Sequence, residues 1–119
     1  MPERTAELLS KHQGELVLYG LTELSDAAAE SLSKHQGDLI FQSLGEISKA
    51  TANKLFNHQG TLALNCLFEI SDDVAKALSK HQGKLQFDCL DEISSKGASF
   101  LHRHGNVETN IDLEEIANE

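Results

Sequence analysis

Histidines recur in this sequence at a constant interval of 23 residues, and four of them are followed by Gln-Gly. The series is His12, His35, His58, His81 and His104. If successive segments stack, neighbouring imidazoles lie about 5 Å apart at the backbone, close enough to share a zinc ion. A structural role is favoured, because a metal site needs its few ligands only once, whereas a histidine near every helix end can hydrogen-bond the last carbonyls. No metal and no cofactor is predicted, and protonation at about pH 6 is expected to lower stability.

Glutamates form a second series at the same interval. Its members are Glu23, Glu46, Glu69, Glu92 and Glu115. Paired carboxylates can transfer protons or bind calcium. A carboxylate that precedes a helix is also stabilised by the helix dipole alone. Equivalent copies in every segment, without an Asp-rich loop, favour this structural role.

Each segment also contains a serine and a histidine, the two side chains of a nucleophilic pair. They lie at opposite ends of the predicted helix, about 15 Å apart at a rise of about 1.5 Å per residue. A histidine cannot take the proton of a hydroxyl across that distance. No catalytic residue is assigned, and the chain is predicted not to be an enzyme.

The two cysteines, Cys66 and Cys89, are separated by one 23-residue interval and should be neighbours in adjacent segments. Their backbone separation could permit a disulfide. Free, half-buried thiols in the place of Gly20 and Ser43 are favoured, because the sequence shows no export signal.

The strands that carry these side chains follow from the pattern within each segment. A stretch such as Leu16–Leu18 alternates between apolar inward and variable outward positions, which predicts a short strand with its leucines buried. Apolar residues three apart then follow, as at Leu67 and Ile70, and indicate a turn rather than a strand.

A helix is predicted after this turn. A serine, the preferred N-cap, precedes each one. The four are Ser25, Ser48, Ser71 and Ser94. In the first segment the helix is predicted over residues 26–35, and Gly37 is expected to adopt the left-handed conformation that ends a helix, as are its equivalents Gly60 and Gly83.

A single unit of strand, turn, short helix and turn cannot bury its own apolar side. Stacked copies can, because leucines at equivalent positions then form continuous columns. One such column is Leu16, Leu39, Leu62 and Leu85. Neighbouring strands lie about 4.8 Å apart, whereas a helix needs roughly 10 Å, so the stack must curve with its strands inside. The predicted fold is α/β, a short curved right-handed solenoid with parallel strands on the concave side and short helices on the convex side.

The run Leu-Val-Leu-Tyr-Gly-Leu-Thr-Glu-Leu at residues 16–24, together with its three copies, resembles bacterial leucine-rich repeats of the 23-residue kind. The resemblance covers almost the whole chain and implies a protein-binding scaffold without catalytic residues. The family places Asn or Cys in the turn after the strand, where it forms a hydrogen-bonded ladder. Leucines stand close to that position in this chain: Leu21, Leu44, Leu67 and Leu90. The turn is therefore predicted to close by packing.

The repeats divide the chain into two parts. Residues 1–107 hold about four full units and a helical half-unit at residues 2–12, and residues 108–119 form an acidic degenerate unit or cap. The strand at 107–111 is predicted to be irregular, and a sixth helix is expected only where the chain stops. Either the acidic tail covers the final strand, or the array continues, or the open end joins another copy.

Composition limits the partners. The chain has 119 residues and a formal charge of −9, which suits one domain and disfavours nucleic acid and anionic membranes as partners. No apolar run of about 18 residues and no basic-then-apolar leader occurs, so a cytoplasmic location is predicted; if the chain is a fragment, its location is unknown.

The outward strand residues are the candidate contact surface, because they vary from unit to unit while the core columns do not. The predicted partner-binding residues are Glu15, Val17, Tyr19, Asp38, Ile40, Gln42, Ala63, Asn65, Gln86 and Asp88. Val17, Tyr19 and Ile40 form an apolar cluster ringed by Glu15 and Asp38, which suits a peptide or loop with basic character. The predicted function is a non-enzymatic protein-binding scaffold that uses the concave strand face. The alternative is a structural module that self-assembles through its open ends.

Overall fold

The 23-residue interval of the sequence is the offset between neighbouring strands in the first four strands of a parallel sheet. The computed structural model describes residues 3–119; Met1 and Pro2, where the predicted half-unit begins, lie outside the described residues. Within that range the strands are β1 (Leu16–Leu18), β2 (Leu39–Phe41), β3 (Leu62–Leu64), β4 (Glu69–Ile70), β5 (Leu85–Phe87), β6 (Glu92–Ile93) and β7 (Val107–Thr109). The main sheet has the order β1-β2-β3-β5-β7, and all its pairs are parallel. We call the segments that begin at His12, His35, His58 and His81 the first to fourth units.

Helices follow the strands in alternation. They are α1 (Glu3–Ser10), α2 (Asp26–Leu32), α3 (Lys49–Leu55), α4 (Asp72–Leu78), α5 (Ser95–His104) and α6 (Leu113–Ala117). Each helix contacts the next one along the chain. The four predicted serine N-caps are confirmed, since each hydroxyl accepts a hydrogen bond from a backbone N–H three residues later. The helix predicted over residues 26–35 is shorter and ends at Leu32, followed by a turn.

The core lies between the sheet and the helices. Among the strand leucines that face it, Leu39, Leu62 and Leu85 are fully inaccessible to solvent, whereas Leu18 is partly buried. They contact buried helix residues such as Leu32 and Leu55. The chain is thus an α/β structure in which a five-stranded parallel sheet is flanked by helices, with extents of 43 × 21 × 21 Å. No helix within residues 3–119 is both long and apolar enough to cross a bilayer.

Glycines allow the units to approach closely, although not all in the predicted way. Gly37 and Gly60 have positive φ angles, whereas Gly83 does not. None of the three ends a helix as predicted, because α2, α3 and α4 end at the C-caps Ser33, Phe56 and Ser79. Gly83 is instead required by proximity, because a Cβ there would lie 2.4 Å from the carbonyl oxygen of Gly60 in the preceding unit. A Cβ at Gly37 would lie 2.5 Å from the Gly14 carbonyl oxygen.

The turn after the strand departs from prediction in two places. Leu44, Leu67 and Leu90 are buried, which agrees with closure by packing. At the last junction, however, Asn110 donates from Nδ2 to the Leu90 carbonyl and accepts from the Leu90 N–H, at 2.9 and 3.0 Å. In addition, the third and fourth units pair here as a second parallel sheet, β4 with β6, where a turn was predicted.

The C-terminal end differs from the predicted one. β7 pairs with β5 at an offset of 22 residues, so that Leu85 lies opposite Val107, because the segment after His104 is one residue shorter than its equivalents. A helix, α6, already begins at Leu113 and packs against α5. The acidic tail thus covers the last helix of the stack rather than the final strand, and Leu113 becomes buried.

Candidate functional site

The outward residues of the main sheet form one continuous row across five strands. The backbone pairing aligns Val17 with Ile40, Ile40 with Ala63, Ala63 with Gln86, and Gln86 with Glu108. These side chains project from the side of the sheet opposite the helices, since their neighbours in each strand face the core. We call this surface, with the ten predicted contact residues, the strand face. Its central row changes from apolar at the β1 end to acidic at the β7 end.

The apolar end of the strand face is accessible. Tyr19 is 70% exposed, and Val17 and Ile40 are half-buried neighbours in direct register. Glu15 is exposed. Asp38 is half-buried, and its carboxylate accepts a hydrogen bond from the backbone N–H of Thr61, the residue before β3. Val17 and Ile40 thus lie side by side with part of each side chain accessible to solvent.

The middle of the strand face offers less surface than predicted. Ala63 is 1% exposed and Asn65 is 8% exposed. The small side chain of Ala63 lies in register between the longer Ile40 and Gln86, which cover it. Gln86 also donates from Nε2 to the Asn65 Oδ1 at 3.2 Å. Ala63 and Asn65 thus offer almost no surface to a partner, whereas Gln42 is exposed.

The polar end of the strand face contains a residue that was not among the predicted contact residues. Glu108 is exposed at the end of the central row and forms an ion pair with Lys84, with Nζ and Oε2 2.6 Å apart. Asp88 is also exposed at this end. Glu108 was overlooked because the last strand was treated as irregular. Aligning Val107 with Leu85, one residue short of the usual interval, would have found it.

The five histidines lie along one edge of the molecule as a stack of parallel rings, here called the histidine edge. Neighbouring ring centroids are 6.0 to 6.4 Å apart, with interplanar angles of 2° to 12°. His35, His58 and His81 are almost completely buried, whereas His12 is exposed. The rings are stacked face to face and do not converge on a point, and within the described range no three His, Cys, Asp or Glu side chains are grouped as metal ligands.

Hydrogen bonds of the histidine edge connect consecutive units. The Nε2 of His58 donates to the Gly37 carbonyl at 2.8 Å, and the Nε2 of His104 donates to the His81 carbonyl at 2.7 Å. The Nδ1 of His81 accepts from the Gly83 N–H at 3.3 Å. The histidines were predicted to bind the carbonyls at their own helix ends. Instead, the rings of His58 and His104 bond the backbone of the preceding unit, whereas His81 accepts from Gly83 within its own unit.

The buried imidazoles favour the neutral form. Burial lowers the pKa of His58 to about 4, and the rings of His81 and His35 act in the same direction. The Gly37 carbonyl and the Asp38 carboxylate oppose this effect without cancelling it. Burial also lowers the pKa of His35 and that of His81. A neutral ring with its proton on Nε2 supplies the single donor that the neighbouring carbonyl accepts.

The remaining candidates occupy the opposite edge. The five glutamates are exposed, and Glu69 lies directly beside Glu92 in the second sheet. The capping serine hydroxyls are bonded to the first turns of their helices, away from the histidine edge. Cys66 is half-buried and Cys89 exposed, and both thiols are free. Within residues 3–119 the capping serine hydroxyls and the stacked histidine rings are therefore not brought together.

The chain finds no match among protein-family models, curated proteins or solved structures. The geometry of the strand face and of the two edges therefore carries the functional interpretation.

Proposed function

We propose that the chain is a leucine-rich repeat solenoid and that it acts as a non-enzymatic protein-binding scaffold through its strand face. The repeat assignment is supported by the parallel pairing of strands at an interval of 23 residues and by the leucine columns of the core. The unequal widths of strands and helices, about 4.8 Å and roughly 10 Å, favour curvature with the strands on the concave side.

The observation that carries the binding proposal is the central row of the strand face. It is continuous in register from Val17 to Glu108, yet its residue types change at every strand. Its apolar end carries Tyr19, which is 70% exposed, and tyrosine is enriched at the centres of protein interfaces. An extended row with an aromatic anchor at one end suits a peptide or loop.

The charge of the strand face selects the partner. Glu15 and Asp38 flank the apolar end, and neither forms an ion pair within residues 3–119. Glu108, by contrast, is paired with Lys84. A segment that combines apolar residues with Lys or Arg would satisfy both carboxylates and cover Tyr19. The same acidity disfavours nucleic acid and anionic membranes.

A non-enzymatic role is supported by the way in which the reactive side chains are used. The Nε2 of His58 and that of His104 are donors to backbone carbonyls. The serine hydroxyls cap helices at the other edge. These imidazoles and hydroxyls are thus held in hydrogen bonds within the fold.

The test is selection of peptides from a displayed random library on the immobilised chain. Peptides rich in apolar and basic residues are expected, and the double variant Tyr19→Ala/Ile40→Ala should weaken their binding at least about tenfold, a loss typical of an aromatic anchor. The matched control is Phe68→Ala, which removes an aromatic side chain that is 50% exposed but lies outside the strand face. Equal binding by the double variant, with the wild-type circular dichroism spectrum, would refute the assignment of this surface.

Self-assembly through the β1 end is the second candidate, because the first unit covers its core less completely than the others. Leu18 and Leu21 are only partly buried, whereas Leu44 and Leu64 at equivalent positions are fully buried. Within residues 3–119, β1 pairs on one side only. Sedimentation at several concentrations distinguishes the candidates: a monomer at all concentrations contradicts assembly and leaves the scaffold proposal intact.

A further inference from the structure

Cys66 and Cys89 occupy equivalent positions in the third and fourth units, between two stretches of parallel pairing. Before them, Ala63 lies opposite Gln86 in the main sheet. After them, Glu69 lies opposite Glu92 in the second sheet. Both pairings have the same 23-residue offset, so the intervening segments begin and end in the same register. Directly opposed residues of parallel strands lie about 5 Å apart, which is within the Cα separation of about 4.4 to 6.8 Å that a disulfide requires.

A side chain at this position reaches across the junction between units. In the second unit the position is held by Ser43, and its hydroxyl donates to the carbonyl of Tyr19 in the first unit. An equivalent orientation of Cys89 would direct its sulfur toward the third unit, which contains Cys66. The position is also accessible, since Cys66 is half-buried and Cys89 is exposed.

We propose that Cys66 and Cys89 form a redox-modification site, at which a low-molecular-weight disulfide converts the two thiols into an intrachain disulfide that joins the third and fourth units. Oxidised glutathione represents this class of oxidant. The proposal concerns a different part of the molecule from the strand face and does not depend on a binding function.

The chemistry is two successive thiol–disulfide exchanges. The thiolate of the exposed Cys89 attacks one sulfur of the glutathione disulfide, the glutathione S–S bond breaks, and one glutathione thiolate leaves. The thiolate of Cys66 then attacks the Cys89 sulfur of the mixed disulfide and releases the second glutathione. The two protons lost by the cysteines are taken up by the two glutathione thiolates. The chain is oxidised by two electrons, and glutathione disulfide is reduced by two electrons.

The disulfide would restrain the junction between the two units. It would close a loop that contains the helix α4 and strand β5, and such a cross-link stabilises mainly by restricting the unfolded chain. Since no ion pair or N-cap is altered, oxidation is expected to raise the melting temperature, by about 10 °C if the chain-entropy contribution is fully realised.

The experiment incubates the folded chain with oxidised glutathione, quenches with acid and determines the intact mass. The expected product is a monomer lighter by two hydrogen atoms, with a disulfide-linked peptide pair that contains Cys66 and Cys89 after digestion. Reduction with dithiothreitol should restore both the mass and the original melting temperature.

Two matched variants use the same column of residues. Ser43→Cys/Cys89→Ser leaves thiols in the second and third units, one spacing apart, and is expected to form the intrachain disulfide as the wild type does. Ser43→Cys/Cys66→Ser leaves thiols in the second and fourth units, about 10 Å apart, beyond disulfide reach. This variant should accumulate glutathione adducts instead.

Three results would overturn the proposal. The first is a wild-type chain that carries two glutathione adducts without an internal bond. The second is a product that consists only of disulfide-linked dimers. The third is an intrachain disulfide formed equally well by Ser43→Cys/Cys66→Ser, which would show that chain flexibility rather than the position of the cysteines controls the reaction.

Discussion

The histidine edge and the strand face both recur at 23-residue intervals, but the property that recurs differs between them. The histidine edge repeats residue identity: buried imidazoles and glycines in near contact, bonded from one unit to the next. The strand face repeats only backbone geometry, and its side chains range from Val17 to Glu108 along a single row. Constant residue types in a repeat therefore mark the junctions between units, whereas variable types mark surface that packing does not specify.

The physical reason is the space available at each place. At the histidine edge the backbones approach so closely that a Cβ at Gly37 would overlap the Gly14 carbonyl. On the strand face the side chains point away from the core, and a change in size is accommodated by solvent. Substitutions in the two regions should therefore differ strongly in effect, which the following predictions test in order of decreasing size.

The largest loss in the free energy of unfolding is expected from Gly37→Ala. Its φ is +117°, and the added Cβ would lie 2.5 Å from the Gly14 carbonyl oxygen, so backbone strain and overlap combine to a loss of about 4 kcal/mol in the free energy of unfolding. Gly14→Ala is the matched control, because Gly14 has a φ of +95° with no atom within 4 Å of the added Cβ. It should cost only about 1 kcal/mol. Urea denaturation measures both, and equal losses would show that contact between units is not the cause.

A somewhat smaller effect is expected from His58→Ala. The substitution removes the donor to the Gly37 carbonyl and leaves a cavity between two stacked rings, which should reduce the free energy of unfolding by about 3 kcal/mol. His12→Ala removes the exposed end of the stack and should cost at most about 0.5 kcal/mol. If the two variants unfold at the same urea concentration, the buried rings do not join the units.

Acidification should weaken the histidine edge as well. The pKa of His58 is lowered from 6.5 to about 4 in the folded chain, so between these values the unfolded chain binds more protons and stability falls as the pH falls. His58 alone should lose about 2 kcal/mol between pH 7 and pH 5. His35 and His81 add to the loss, since their pKa values are also lowered.

Urea denaturation at pH 7 and at pH 5 measures this effect above the titration range of most carboxylates. His58→Ala should show a smaller loss than the wild type over the same interval, because one of the coupled rings is removed. A wild-type chain of equal stability at both pH values would contradict the neutral state of the buried rings.

The smallest changes in the free energy of unfolding are expected from substitutions on the strand face. Tyr19→Ser, Gln42→Ala and Asp88→Ala each change an exposed side chain and should alter the free energy of unfolding by no more than about 0.5 kcal/mol. A loss of more than about 2 kcal/mol at any of them would mean that the strand face is part of the packed structure and would remove the contrast with the histidine edge.

Much of the fold could be predicted from the sequence because its determinants are local and repeated. The alternation at Leu16–Leu18 and the serine N-cap of α2 indicate strand and helix directly. The segment after His104 is one residue shorter than its equivalents, which breaks the 23-residue interval. For this reason the sequence did not predict the register of β7 or the position of Glu108. The helix α6 was missed because it begins before the place that the repeat assigns to it.

The candidate site was predictable in outline only. Alternation identifies which side chains leave the sheet, and this placed Tyr19 and Ile40 on one surface. It does not determine how much of each side chain is covered. Ala63 is buried between Ile40 and Gln86, which lie 23 residues away in either direction, and Asn65 accepts a hydrogen bond from Gln86.

The amino-acid sequence by itself determined the period, the order of strand and helix in each unit, and which side chains face the core, since spacing and local hydrogen bonding specify these properties within a few residues. Only the tertiary structure decided that the Nε2 of His58 binds the preceding unit rather than its own helix, and that Gly83 is required by proximity rather than by its φ angle. These contacts join atoms about 20 residues apart in the chain, and their distances are defined only once the units have packed together.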